Sequence, residues 1–71
     1  MRSVQIRDDM IRLGQFLKLA GLAEDGTEAK ALLDDDLVKV NGTLEFRRGR
    51  QLHIGDVVRL GKEEVEVIGN A

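Results

Sequence analysis

Leu37-Val38-Lys39-Val40-Asn41-Gly42-Thr43-Leu44-Glu45-Phe46 carries the change of hydrophobic period that decides the fold. Val38 and Val40 alternate with Lys39, and Leu44 and Phe46 alternate with Glu45. Each half therefore repeats its apolar face every second residue, as a strand does. Asn41-Gly42 between the halves is a strong hairpin signal, because a type I′ turn needs positive φ at both central residues. On this alternation Phe46 falls on the apolar face and Glu45 on the other.

Upstream the period is helical. Leu13, Phe16, Leu17 and Ala20 fall at i, i+3, i+4 and i+7, which predicts an amphipathic helix over roughly residues 9–20, with Asp8-Asp9 as its N-cap and Gly21 as its stop. Val4-Gln5-Ile6 reads as a short strand before it. Ala29, Leu32 and Leu33 mark a second, shorter helix with Thr27 as the expected N-cap, ending near Asp34, Asp35 and Asp36. Three carboxylates at a helix C-terminus oppose its dipole. Downstream, Arg47-Arg48-Gly49-Arg50 is a basic loop, and Leu52 and Ile54 flank His53 on another strand. Gly55-Asp56 is a turn, and Val57–Leu60 and Val65–Ile68 form the last two strands around Gly61-Lys62. Two helices followed by hairpin-connected strands give an α+β domain.

The 71 residues are expected to form one domain, 1–71; they are 42% apolar and 34% charged, an ordinary globular balance. There is no cysteine, which removes disulfides, thiol nucleophiles and zinc ribbons together and fits a cytoplasmic protein. No apolar run approaches the roughly 20 residues of a membrane span, and no signal-peptide block is expected at the charged N-terminus. Catalysis has little to use. The hydroxyls are Ser3, Thr27 and Thr43, and His53, the single histidine, is expected on an outer face. No metal site, cofactor or small-molecule substrate is expected, and the chain is not expected to be an enzyme.

Charge is segregated. Residues 1–23 hold four basic and two acidic groups, residues 24–36 one basic and six acidic, and residues 43–60 four basic and two acidic. A local basic patch can bind phosphate on a protein of net charge −2, since charges beyond a Debye length of about 8 Å are largely screened. Guanidinium forks donate paired hydrogen bonds to phosphate oxygens, and lysine adds a mobile point charge. Three arginines within four residues suit a polyanion. The loop is expected to be exposed, so reversing all three charges should leave the fold intact. Phe16 and Phe46, the only aromatics, both fall on apolar faces, so recognition by base stacking is not expected. Phosphate and shape contacts to folded RNA remain.

Arg12-Leu13-Gly14-Gln15-Phe16-Leu17-Lys18, Gly21-Leu22, Glu28-Ala29-Lys30, Val38-Lys39-Val40-Asn41-Gly42 and Gly55-Asp56-Val57-Val58 together resemble the alpha-L RNA-binding domain, named after the fourth protein of the small ribosomal subunit. Gln15-Phe16-Leu17-Lys18-Leu19, Glu28-Ala29-Lys30 and Arg47-Arg48-Gly49-Arg50 are similar to its small stand-alone YaaA/YbcJ-type branch, regarded as RNA-binding and ribosome-associated. The resemblance implies two N-terminal helices packed on a small bent antiparallel sheet, with the helix pair and adjacent hairpin forming the RNA face. It implies Arg12, Lys18, Lys30 and Lys39 as RNA contacts, and Arg47, Arg48 and Arg50 from the smaller branch.

Two departures subtract positive charge from that face: Asp25-Gly26 stands where Ser-Arg is usual, and Asp36 where glycine is usual. The expected function is non-catalytic recognition of structured RNA, ribosomal or transfer, in association with the ribosome. The alternative is a protein-interaction adaptor docking through the acidic 24–36 surface.

Overall fold

The computed structural model describes residues 1–69. Its elements run β1 (Arg2–Gln5), β2 (Met10–Arg12), α1 (Leu13–Leu19), α2 (Gly26–Asp34), β3 (Val38–Val40), β4 (Thr43–Leu44), β5 (Gln51–His53), β6 (Val57–Leu60) and β7 (Glu63–Ile68). Five strands form one sheet in the order β1-β7-β6-β3-β4, and β2 pairs with β5 in a second, two-stranded sheet.

The α+β class holds, and two features of the expected architecture are corrected. The helices are not N-terminal, because β1 and β2 precede them. The main sheet is mixed rather than antiparallel, because β1 lies parallel to β7, Arg2 opposite Val65 through Gln5 opposite Ile68. This pairing joins the two ends of the chain, and no local pattern announces it.

The first helix is shorter than its period suggests. Met10–Arg12 is extended and pairs antiparallel with Gln51–His53, so α1 begins only at Leu13. Asp8 and Asp9 therefore do not cap it; its N-cap is Arg12, which makes no side-chain cap bond. The apolar face stands as read: Leu13, Phe16, Leu17 and Ala20 are all buried. For α2 the cap is Asp25 rather than Thr27, and its carboxylate accepts from Glu28 N at 2.8 Å. Glu28 reaches back to accept from Glu24 N at 3.1 Å, so the two side chains cross-bond the start of the helix much as a capping box does. The helix ends at Asp34, and Asp36 sits at φ 58°, the left-handed region usually given to glycine.

The β3–β4 hairpin forms around Asn41 (φ 51°) and Gly42 (φ 86°), with Val40 opposite Thr43. β6 and β7 form the next hairpin, with Leu60 opposite Glu63. Alternation aims Val38, Val40, Val58, Val65 and Val67 at one core with Leu13, Phe16, Leu17, Ala29, Leu33 and Leu52. That core joins α1 and α2 to the main sheet, and Leu52 fastens the small sheet to it. Among the described residues no helix is long and apolar enough to cross a membrane.

Candidate nucleic-acid interface

The site grows from the loop between β4 and β5. The ladder continues one bond past Leu44, with Glu45 N donating to Val38 O at 3.0 Å. This turns Glu45 inward, to 5% exposure, and Phe46 outward, to 69%. The expectation that Phe46 lies on the apolar face is thus reversed, and an exposed ring is available for stacking after all. A buried carboxylate must be fully hydrogen-bonded. Glu45 Oε2 accepts from Phe46 N, Arg47 N and Arg47 Nε, each at 3.1 Å, while Oε1 accepts from Arg47 Nη2 at 3.3 Å and Arg50 Nη1 at 2.8 Å. The Arg47 hydrogen bonds, with Arg50 adding to them, outweigh desolvation and hold this carboxyl down at about 2, from an ordinary 4.5. Arg47 and Arg50 are gathered by an internal anion, the Glu45 carboxylate. Reversing all three loop charges would surround a buried carboxylate with new ones, so the expectation of an intact fold is withdrawn.

The loop backbone then docks on α1. Leu13 N donates to Arg50 O at 2.8 Å and Gly14 N to Arg48 O at 2.9 Å, which satisfies amides that no side-chain cap serves. Arg12 Nη1 donates to Gly49 O at 2.9 Å. The β2–β5 ladder, Arg12 opposite Gln51, holds the two segments in this register. Gly14 allows the approach, since a Cβ there would meet Arg48 Cγ at 2.9 Å.

Arg12, Lys18 and Arg48 consequently share one concavity of about 400 Å³ with Gln15, Gly14, Gly49 and the start of α2 at Gly26 and Ala29. The side chains of Lys18 and Arg48 have no ion-pair or hydrogen-bond partner among the described residues. Arg47 and Arg50 face a second, wider depression of about 720 Å³ with Gly49, Gln51, His53 and Asp56. Burial there would raise the Asp56 carboxyl, but bonds from His53 N and Asn41 Nδ2 outweigh it and keep it below the usual range. His53 is exposed, as expected.

Two expected contacts lie apart. Lys30 pairs with Asp34 one turn along α2, at 2.9 Å, and lines neither depression. Lys39 stands on the outer face of β3, opposite Leu44 on one side and Arg59 on the other. Sequence reasoning missed Glu45, Gly14 and Gln15. The signal for Glu45 is an acidic residue just ahead of three clustered arginines. Among the described residues no group of three or more His, Cys, Asp or Glu could hold a metal ion.

Residues 4–68 match the family model of the S4 domain. The chain belongs to this family. It is 47% identical over 57 residues to "Probable ribosome maturation protein RlbA" of Bacillus subtilis (strain 168), covering 80% of each chain. It is 33% identical over 58 residues to "Putative RNA-binding protein YbcJ" of Escherichia coli (strain K12), covering 82% of this chain and 83% of that one. The S4 match spans both helices, the basic loop and the strands that hold it.

Proposed function

We propose that this S4-domain protein is a non-catalytic RNA-binding module that recognises structured RNA, ribosomal RNA foremost, through phosphate and shape contacts, and that it acts on the ribosome or its precursors. The observation that carries the reading is the concavity in which Arg12, Lys18 and Arg48 converge, two of them with side chains that have no partner among the described residues. Folding places like charges together there without neutralising them, an arrangement that favours an anionic ligand. The names of the two relatives, one for ribosome maturation and one for RNA binding, point the same way.

Arg12 is the best-oriented of the three, because its bond to Gly49 O fixes one edge of the guanidinium and leaves other donors of the fork available. Arg47 and Arg50 contribute a net positive charge after Glu45 is counted, and they line the neighbouring depression. Lys30 and Lys39 stand outside the concavity. Lys30 contributes less, since Asp34 already holds it.

The adaptor reading is weaker. In the 24–36 segment Asp25 and Glu28 are engaged in capping α2 and Asp34 in pairing with Lys30, which leaves fewer carboxylates for a partner.

Fluorescence anisotropy with a structured ribosomal RNA hairpin across a salt series tests the proposal. Saturable binding that weakens steeply with salt supports it, since each duplex phosphate neutralised contributes about −0.9 to the log–log slope. A folded protein that binds no RNA at low salt would contradict it and turn attention to the acidic surface.

A further inference from the structure

The ring of Phe46 stands in water while the protein's other aromatic, Phe16, is completely buried. Its orientation is built in. Glu45 takes the inward position, anchored by its amide to Val38 O and by its carboxylate to Phe46 N, so the following side chain must leave on the opposite face. Leu44, two residues back on the same face, is also about half exposed.

The surroundings indicate what covers the ring. Lys39 is the cross-strand partner of Leu44, and its ammonium has no ion-pair or hydrogen-bond partner among the described residues. Arg47, next in the chain, turns back to Glu45 on the opposite side, whereas Arg59, the other cross-strand partner of Lys39, adds a second cation to the face that Lys39 shares with Leu44. An apolar surface bordered by cations complements a flat π-system carried on an anion, and a nucleotide is such a group. Phe46 also lies two residues from Arg48, at most about 7 Å of extended chain. One RNA strand is therefore long enough to meet both residues.

We propose that Phe46 is a stacking platform for one unpaired nucleobase beside a helical stem, with Lys39 taking a flanking phosphate. The inference rests on the RNA-binding reading and adds to it a preference for a junction between paired and unpaired RNA. Structured RNA is then held by phosphate contacts in the Arg12–Lys18–Arg48 concavity, and the junction is selected at Phe46.

The test uses two hairpins, one with an unpaired purine next to the stem and one with an abasic linker in its place. The proteins are the wild type, Phe46→Leu, which keeps apolar bulk without a π-face, and Phe46→Trp. Stacking on an aromatic side chain is worth enough to predict about a tenfold preference of the wild type for the purine hairpin, which Phe46→Leu loses. The chain has no tryptophan, so Phe46→Trp introduces a single indole. Its emission should be quenched by the purine hairpin and not by the abasic one.

Equal affinity of wild type and Phe46→Leu for both hairpins would overturn the stacking role and leave RNA binding standing. Absence of binding to either hairpin by the folded wild type would overturn both. A self-association of the wild type in sedimentation, abolished by Phe46→Asn with RNA affinity unchanged, would assign the face to a second copy of the chain and overturn the proposal.

Discussion

At the scale of single residues, Glu45 organises the basic loop. It is a buried acid whose lone pairs are filled by two backbone amides and two guanidinium groups. Glu45→Gln keeps the shape and removes the charge; the expected cost is about 1–3 kcal/mol in denaturant unfolding. The pH dependence follows from its depressed pKa. The folded value of about 2 lies below the ordinary 4.5, so the pairing contributes fully above about pH 4.5 and is lost as pH falls through 2. The stability difference between wild type and Glu45→Gln should therefore shrink between pH 4.5 and 2 in thermal melts. Asp36 is the opposite case, a residue in a conformation that suits it poorly, at the C-terminal end of a helix. Asp36→Gly should raise stability by about 1 kcal/mol by relieving left-handed strain and removing a charge that opposes the helix dipole. An unchanged melting temperature would show that the aspartate is accommodated there without cost.

At the scale of elements, the loop and α1 form one unit, because the carbonyls of Arg48 and Arg50 serve the first amides of the helix. Gly14→Ala tests that unit. The added methyl improves helix propensity but meets Arg48 Cγ, so Arg48 must move. The fold should persist by circular dichroism while RNA affinity falls severalfold; undiminished affinity would mean that Arg48 can contact RNA from a shifted position. The legible elements are those whose signal is local. The apolar face of α1, the Asn41-Gly42 turn and the β6–β7 hairpin can each be read within about a dozen residues. Met10–Arg12 misleads because its partner is Gln51–His53, some 40 positions away, and a lone extended tripeptide fits equally well into the helical period that follows. Glu45 and Phe46 mislead because alternation alone assigns an acidic residue to the solvent face. Inversion of that rule is possible here only because the arginines two and five positions on supply the counter-charge.

At the scale of the whole molecule, a chain of net charge −2 carries a basic face because folding separates its charges. The residue types at that face are legible in the sequence: Arg12, Lys18 and Arg48 stand out there as candidates. Their convergence is not, since it depends on the β2–β5 ladder and on the loop's docking to α1. Nor is the separate placement of Lys30 and Lys39, which occupy motif positions but line neither depression beside the loop. The central claim is that the three convergent cations neutralise RNA phosphates. The most direct measurement is the salt dependence of hairpin binding for wild type beside the combined variant Arg12→Gln, Lys18→Gln and Arg48→Gln. The variant's log–log slope should be shallower by about 2 to 3, at about 0.9 for each phosphate it no longer neutralises. A parallel slope with unchanged affinity would place the RNA elsewhere on the molecule and contradict the account.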